Sequence, residues 1–268
     1  MPIEWLVDYW DKIAEKALPF LQGHRIAIEQ KFDHQIIYRR HKKVNPGKES
    51  AGWIYVKEKE DVLEWAKQHT FSFHTHLEGE DDTYFALDID NHDGNFPLGL
   101  IKVATIEMSK ILDEHKIDYL LKFSGGNSFH FLSAFKNSEI KGKRIFEIEQ
   151  RAIVHFQKEL ERRLQKSSHK DEFYKHLAKD DPITITNSRD KEHKKSILID
   201  EFILKRHSVI RSPFSVHPKT LLVSVPMEKS KIENFDPKKD ASREVVLKST
   251  KVFQKPFNKL SVFEELMS

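Results

Sequence analysis

Apolar residues recur at steps of three and four near the start of the chain and at shorter steps beyond it. The longer spacing predicts an amphipathic helix over residues 2–18. Alternation of apolar and polar residues then predicts strands, because side chains on a strand point to opposite faces in turn. The strands predicted in this part of the chain cover 25–32, 35–40, 52–57 and 71–77, and one helix interrupts them at 59–67.

The middle of the chain has the order strand, helix, strand, which is typical of a crossover between parallel strands. The strands cover 84–90 and 119–124, and the helix covers 98–115. A glycine-containing loop, Gly125–Ser128, then leads into a further strand and predicts a hairpin. The elements predicted from there on are a strand at 129–134, helices at 144–165 and 172–178, and strands at 196–204 and 221–226.

The composition indicates one folded unit. Of the 268 residues, 38% are hydrophobic and 11% aromatic, which is enough apolar surface to bury a substantial core. We therefore expect a single α/β (α+β) domain over 1–268. Within it we expect an N-terminal lobe over about 1–80, a core over about 81–230 and a C-terminal extension over 231–268.

The chain contains no cysteine, which excludes disulfides, thiol nucleophiles and cysteine-rich zinc sites. We accordingly expect no zinc. The N-terminus lacks the pattern of a signal peptide, and no apolar run reaches the length of about 18 residues that a membrane span needs. The sequence therefore predicts a cytoplasmic protein without a membrane partner.

Charged residues are dense but nearly balanced. The 45 Lys and Arg residues against 42 Asp and Glu leave a formal net charge of +3. Three local basic runs, 39–43, 141–144 and 191–195, could each contact phosphates. Such runs are also common on solvated surfaces, so both interpretations stay open.

The strand at 84–90 carries a pair of carboxylates. Alternation places Asp88 and Asp90 on one face and the apolar residues between them on the other. Two adjacent carboxylates remain ionised at low cost only with a cation between them, so the pair suits divalent metals. The alternative is the exposed end of an ordinary strand.

A second pattern runs from Ser124 to His130. Paired glycines, Gly125 and Gly126, let backbone amides approach a phosphate, while Ser124 can donate to it and His130 returns to the same place on the next strand. This predicts a triphosphate cradle. The alternative is a Gly-Gly hairpin with a buried histidine.

A third pattern follows in 199–220. Asp200 lies in an apolar segment and needs a partner, which a shared metal would supply. A basic cluster follows it, including Arg211 and His217, and could serve phosphates. The alternative is a surface loop beside a strand end.

Taken together, the three patterns resemble the motifs of the archaeo-eukaryotic primase superfamily, which are a paired-aspartate strand, a Ser-Gly-x-x-x-x-His hairpin and a late aspartate. The stretch 212–220 is similar to the corresponding stretch of eukaryotic replicative primase small subunits. The N-terminal half instead resembles the polymerase domain of bacterial ligase D and its stand-alone archaeal relatives. The landmarks of this second similarity are 9–10, 18–23, 38–41, 63–66 and 73–74.

This sequence departs from the family pattern at two positions. Asn127 stands where both branches often have a basic residue, so one phosphate contact is either missing or supplied from elsewhere. Asp200 lies one residue closer to 212–220 than in eukaryotic primases.

The resemblance implies a catalytic sheet of the RNA-recognition-motif type with a β-rich N-terminal lobe. It implies template-directed addition of NTP or dNTP to a 3′-hydroxyl on DNA, with two Mg²⁺ or Mn²⁺ ions held by Asp88, Asp90 and Asp200. The residues implied for nucleotide binding are Ser124, Gly125, Gly126, His130, Arg211, Ser215 and His217, and those for DNA binding are Arg39, Arg40, His41 and Lys42.

Three functions remain open within the resemblance: a stand-alone primase-polymerase that fills gaps or extends broken ends, a replicative primase small subunit that makes RNA primers, and an inactive relative that only binds nucleic acid. The absence of cysteine favours the first, because replicative small subunits usually carry a Cys-rich zinc knuckle, whereas 212–220 favours the second. Retention of three aspartates argues against the third. The implied partners are a DNA template-primer or broken ends, with either a separate DNA ligase and an end-binding protein or a primase large subunit.

Two further patterns are expected to be structural. His74 and His76 alternate along one strand, where we expect a half-exposed face rather than a metal site. The apolar residues of the C-terminal extension are expected to pack back on the body, and they are Phe253, Phe257, Leu260, Phe263 and Leu266.

Overall fold

The computed structural model describes residues 4–33, 35–42, 52–91, 94–187, 189, 192–193 and 195–266. The predicted loop at 45–47 lies outside these residues, as do Lys43, Lys191 and Lys194 of the basic runs.

The N-terminal part is an antiparallel sheet covered by the first helix. The central strand β1 pairs with β2 on one side and β3 on the other. The first helix buries its apolar face on this sheet, and the indole of Trp10 donates to the carbonyl of Thr70 at 3.1 Å. The elements are α1 (Glu4–Leu21), β1 (His24–Phe32), β2 (Gln35–Arg39), α2 (Lys59–Lys67) and β3 (Thr70–Gly79).

The central part contains the predicted crossover and hairpin. Strand β6 lies between β4 and β5 and is antiparallel to both, so β4 and β5 run parallel to each other. The elements are β4 (Asp82–Ile89), α3 (Leu98–Glu114), β5 (Leu120–Phe123) and β6 (Phe129–Lys136).

The rest of the chain adds helices and two further strands of the main sheet. Helices α3 and α5 pack together, and Phe156 of α5 contacts Phe85 of β4. None of the helices among the described residues is long and apolar enough to cross a membrane. The elements are α4 (Asn137–Ile140), α5 (Ile145–Lys166), α6 (Lys170–Tyr174), β7 (Thr184–Ile185), β8 (Ile197–Leu198), β9 (Val209–Arg211), β10 (Pro226–Met227), α7 (Pro237–Asp240), α8 (Arg243–Lys248) and α9 (Leu260–Glu265).

Strands β7 and β8 form a separate two-stranded parallel sheet, and the other eight strands join in one sheet of order β10-β5-β6-β4-β3-β1-β2, with β9 paired to β3. Its two halves connect at the β3–β4 hairpin, where Glu78 pairs with Thr83. Strand β9 belongs to the third motif and pairs with β3, so it joins this motif to the N-terminal half. The mixed α/β fold predicted from the sequence is therefore confirmed.

Three predicted strands are largely absent. Within 52–57 only Trp53 and Ile54 form isolated bridges, within 196–204 only Ile197–Leu198 is a strand, and 221–226 contributes only Pro226 to β10. Some apolar residues of these segments are nevertheless buried, as Ile54, Ile199 and Val223 are, whereas Leu221 is 41% exposed. An apolar pattern indicates burial, and an irregular segment can be buried without pairing in a sheet.

The C-terminal extension packs on the body as expected, with one exception. Leu260 and Phe263 are buried, and the Phe263 ring lies 4.9 Å from the rings of both Phe85 and Phe135. Phe257 is 44% exposed, although its backbone bridges Ala134. The expectation for Phe257 was wrong, because its segment is held by the backbone rather than by the ring.

Candidate active site

Three aspartates meet at one end of β4. Asp88 lies within β4, and Asp90, directly beyond the strand, exchanges two backbone hydrogen bonds with Leu198 of β8 at 2.9 and 3.0 Å. Asp200 follows two residues after Leu198 and caps a short 3-10 helix, its Oδ1 accepting from the amide of Phe202 at 2.9 Å. The bridge between β4 and β8 thus brings the late aspartate to the paired ones.

Ionisation of the Asp88 carboxyl is unfavourable, because the group is buried and lies near two other carboxylates. Burial raises the pKa of Asp88 well above its usual value, and the carboxylates of Asp90 and Asp200 raise it further. Its Oδ1 is buried and accepts no hydrogen bond from the described part of the chain, although His130 Nε2 is 3.4 Å away. A bound divalent cation would favour the ionised carboxyl and fill the free acceptor, so the chemistry of these carboxylates fits the metal that the sequence predicts. The oxygens of the three aspartates do not all lie within 4.8 Å of one another, so their side chains would have to draw closer around an ion.

Three neighbouring strands place Asp88, His130 and Lys122 in a row. Asp88 pairs with His130 in the strand register, and His130 pairs with Lys122. The Lys122 Nζ lies 2.6 Å from His130 Nδ1 and 3.1 Å from Ser224 Oγ. Because the amine donates to Nδ1, the imidazole keeps its proton on Nε2, on the side of Asp88. Lys122 was not predicted from the sequence, although a lysine in the apolar strand Leu120–Phe123 could have indicated it.

The loop after β5 is shaped by one glycine and one serine. Gly125 has a φ of +86°, and a Cβ there would lie 3.1 Å from both the His217 Cβ and the Leu222 carbonyl oxygen. The Ser124 hydroxyl accepts from the amides of Gly126 at 3.1 Å and Ser128 at 3.3 Å. These two amides therefore hold the loop together, while the Ser124 hydroxyl hydrogen remains able to donate outward.

His217 lies against this loop in a neutral form. Burial, followed by the charge of Arg211, lowers the pKa of His217 to about 4. Its Nδ1 accepts from the amides of Lys219 at 3.3 Å and Thr220 at 3.2 Å, which leaves the proton on Nε2. The His217 and His130 rings thus each carry a donor Nε2–H beside the loop.

Arg211 of β9 is partly paired within the chain. Its Nη2 donates to Glu29 Oε2 at 2.9 Å, and His74 Nε2 lies 3.0 Å from the same oxygen. Burial opposes ionisation of Glu29, but the hydrogen bond from His74 and the charges of His74 and Arg211 outweigh it and lower the pKa of Glu29 to about 2. The Arg211 Nε is buried and has no acceptor among the described residues.

Two of these residues differ from the sequence prediction. Glu29 was not predicted, because nothing in its strand pattern distinguishes it from a solvated residue. His74 was expected on a half-exposed face together with His76, yet they are 9% and 1% exposed. That expectation was wrong because other rings pack against these histidines: Tyr38 against His74, and Trp53 and His207 against His76.

Ser215 does not face the site. It is fully buried, and its hydroxyl accepts from the Phe73 amide at 3.0 Å and donates to the Phe73 carbonyl at 2.9 Å. Both bonds fasten the 212–220 segment to β3. The assignment of Ser215 to nucleotide binding is therefore corrected to a structural role.

The predicted DNA-binding segment lies at the outer edge of the N-terminal half. Arg39 ends β2, and Arg40 Nη1 donates to the His207 carbonyl at 3.1 Å. The His41 ring lies 4.3 Å from that of Trp53, and His41 and Lys42 are exposed. The segment thus forms an edge that a strand of nucleic acid could reach from solvent.

The fold and the site define a two-part α/β protein of the primase-polymerase class, with carboxylates, histidines and an arginine gathered where the parts meet. The family described as the LigD primase-polymerase domain matches residues 4–257, so the chain belongs to this family. The match spans the motif 212–220 as well as the N-terminal landmarks.

The structure is similar to that of the polymerase domain from Mycobacterium tuberculosis Ligase D in complex with DNA. The two chains share 13% sequence identity and a TM-score of 0.64, over 90% of this chain and 86% of the other. This likeness shows a common fold. A search of curated proteins gave no match.

Proposed function

We propose that this protein adds NTP or dNTP to a 3′-hydroxyl on DNA by two-metal catalysis, filling gaps or extending broken ends. The observation that supports the proposal is a pair of buried polar atoms without hydrogen-bond partners, one an acceptor and the other a donor. Asp88 Oδ1 lacks a donor, and Arg211 Nε lacks an acceptor, within the described chain. Since buried polar atoms are normally satisfied, a ligand that brings both a cation and an anion fits this site. A nucleotide triphosphate with its divalent metal is such a ligand.

Asp88, Asp90 and Asp200 would hold the metals. When bound, divalent cations lower the pKa of the attacking hydroxyl and neutralise charge on the triphosphate. The protein's own groups mainly position the reactants: the Nε2–H groups of His130 and His217 and the guanidinium of Arg211 would contact phosphate oxygens. The 3′-oxygen bonds to the α-phosphorus, and the bond to pyrophosphate breaks.

DNA would approach along the basic edge formed by Arg39, Arg40, His41 and Lys42. Tyr38 connects this edge to the site, because its ring packs 5.5 Å from that of His74. The guanidinium of Arg25 lies 4.8 Å above the Trp53 ring beside it, so cationic and aromatic groups alternate on this face, as single-strand binding favours. The M. tuberculosis domain of the same fold is in complex with DNA, which supports DNA as the ligand of this protein.

Replacing Asp88 or Asp90 by Asn tests the proposal. Each change removes a metal ligand without removing bulk, so template-directed extension should fall by more than about a hundredfold. The folded state should be at least as stable, because a crowded carboxylate is neutralised. Primer extension and thermal unfolding would be measured together.

Asp81→Asn is the matched control, since Asp81 is an exposed aspartate at the opposite end of β4. Its extension rate should equal that of the unaltered protein. Normal extension by Asp88→Asn or Asp90→Asn would contradict the metal assignment. An unaltered protein that binds primed DNA but never extends it would favour the inactive relative.

A further inference from the structure

A second cluster of metal-ligating side chains lies on the helical layer, away from the candidate active site. His115 follows the end of α3, while His155 and Glu159 are one turn apart on α5. The potential ligand atoms of these three residues all lie within 4.8 Å of one another. We propose that they form a site for a divalent transition metal, with Zn²⁺ as the ion that the ligand chemistry fits. The expectation of no zinc rested on the absence of cysteine, and this site uses none.

The distances suit such an ion. Glu159 Oε2 is 3.2 Å from His115 Nε2 and 4.0 Å from His155 Nε2. Zinc bonds of about 2.0–2.2 Å in tetrahedral geometry separate neighbouring ligand atoms by about 3.3–3.5 Å. Rotation of side chains alone is therefore enough to bring the three atoms around one ion, and water would complete the coordination. Two imidazoles and one carboxylate favour zinc over Mg²⁺ or Ca²⁺, which prefer oxygen ligands.

The surroundings support binding as well. The buried ring of Phe156 lies 5.8 Å from the His115 ring and 5.9 Å from the His155 ring, so both imidazoles pack against an apolar surface. This surface limits the rotation of the two imidazoles and excludes water from one side of the site, which strengthens metal ligation. The site is still reachable from solvent, since the His155 side chain is 42% exposed.

The nearest arginine does not oppose a cation. Arg163 donates to Glu159 Oε1 at 2.7 Å and so leaves Oε2 for the metal. Its charge is shared with Glu114 at 2.5 Å and with Glu107 at 4.0 Å. Arg162 Nη2 also lies 3.9 Å from Glu159 Oε1, and Lys110 Nζ lies 2.6 Å from Glu107 Oε1, so cations balance these carboxylates. Glu159 Oε2 nevertheless stays available, and Arg163 orients the ligating carboxylate as hydrogen-bonded neighbours of metal ligands do.

A bound ion should hold α3 and α5 together and so stabilise the folded state. The full-length chain would be stripped with EDTA and melted without nucleotide or DNA. Excess Zn²⁺ should raise the Tm by about 5–10 °C, whereas equal Mg²⁺ should not. Co²⁺ should give the visible absorption of a four-coordinate site with a stoichiometry of one.

Two variants and one control assign the ion. His115→Gln and His155→Gln each remove a ligand atom, so each should lose most of the Zn²⁺-dependent Tm shift and the Co²⁺ absorption; circular dichroism checks their folding. His169→Gln should keep both, because His169 pairs with Glu172 at 3.6 Å in an exposed helix but is not part of the three-residue cluster. No Zn²⁺ shift in the unaltered protein would overturn the proposal. So would a shift that survives in both variants, or one that disappears only in Asp88→Asn, which would place the metal at the candidate active site.

Discussion

Lys122 offers a sharp test of how the candidate active site is organised. Its side chain is fully buried, and its Nζ donates to His130 Nδ1 at 2.6 Å. Lys122→Met keeps the chain length and removes the donor. The His130 ring then loses the bond that keeps its proton on Nε2, so it should present a phosphate donor only part of the time.

The magnitude follows from the bond that is lost. A hydrogen bond between neutral groups contributes about 0.5–1.5 kcal/mol, which corresponds to roughly a 2- to 13-fold fall in kcat/KM if it acts wholly through His130. Stability should change by less than about 2 kcal/mol, because burial already lowers the pKa of Lys122 well below its usual value and an apolar side chain relieves that cost. Activity should therefore fall without a matching fall in stability.

Single-nucleotide extension and urea unfolding would be compared for Lys122→Met, His130→Ala and the double variant. If Lys122 acts through His130, the double variant should be no worse than His130→Ala alone. Lys136→Met, at the exposed end of the same sheet, is the matched control. Additive losses, or an unaffected Lys122→Met, would refute the reasoning.

Further predictions concern three other parts of the molecule. Glu29→Gln should cost about 2–4 kcal/mol of unfolding free energy near neutral pH, because it leaves the nearly buried guanidinium of Arg211 without its charged partner. The pKa of Glu29 is lowered from 4.5 to about 2, so this contribution is present above pH 4.5 and is lost as the pH falls through about 2. The urea midpoints of the variant and the unaltered protein should therefore converge at about pH 2. Asp82→Ala should cost about 3 kcal/mol in urea unfolding while extension persists, because it removes two ion pairs of 2.8 Å far from the aspartate cluster. Gapped DNA with a downstream 5′-phosphate should bind more tightly than its 5′-hydroxyl counterpart by about 1–3 kcal/mol in a titration. This difference should disappear when Arg39, Arg40 and Lys42 are changed to Ala. If binding does not depend on the phosphate, and if priming on single strands requires a second subunit, the replicative function is favoured.

Much of the fold could be predicted because long periodic segments dominate it. The helix predicted at 59–67 agrees with α2 at both ends, and the predicted strand, helix, strand order became β4, α3 and β5. Periodicity worked there because each element buries one face along its whole length. It failed at 196–204 and 221–226, where a few backbone hydrogen bonds to distant segments hold the chain, such as the one from the Phe123 amide to the Val225 carbonyl. No local pattern describes such contacts.

The candidate site shows the same division between local and long-range information. Asp88, Ser124 and His130 could be predicted because they lie within short motifs whose spacing carries the chemistry. Glu29 and Lys122 could not be assigned, since their importance depends on strand pairing across the sheet. Ser215 was assigned wrongly because a motif places a residue near a site without indicating which way its side chain points.

The charges gathered at this site explain why its two expected ligands should depend on each other. Asp88, Asp90 and Asp200 repel one another and attract cations. Lys122 and Arg211 attract anions, and after burial the charge of Arg211 further lowers the pKa of Lys122. A metal ion alone would relieve the carboxylates but add positive charge beside the cations, and a triphosphate alone would do the reverse. Only the two together satisfy Asp88 Oδ1 and the Arg211 Nε at once. Since each ligand removes a cost that the other would otherwise meet, metal should strengthen nucleotide binding and nucleotide should strengthen metal binding by the same factor.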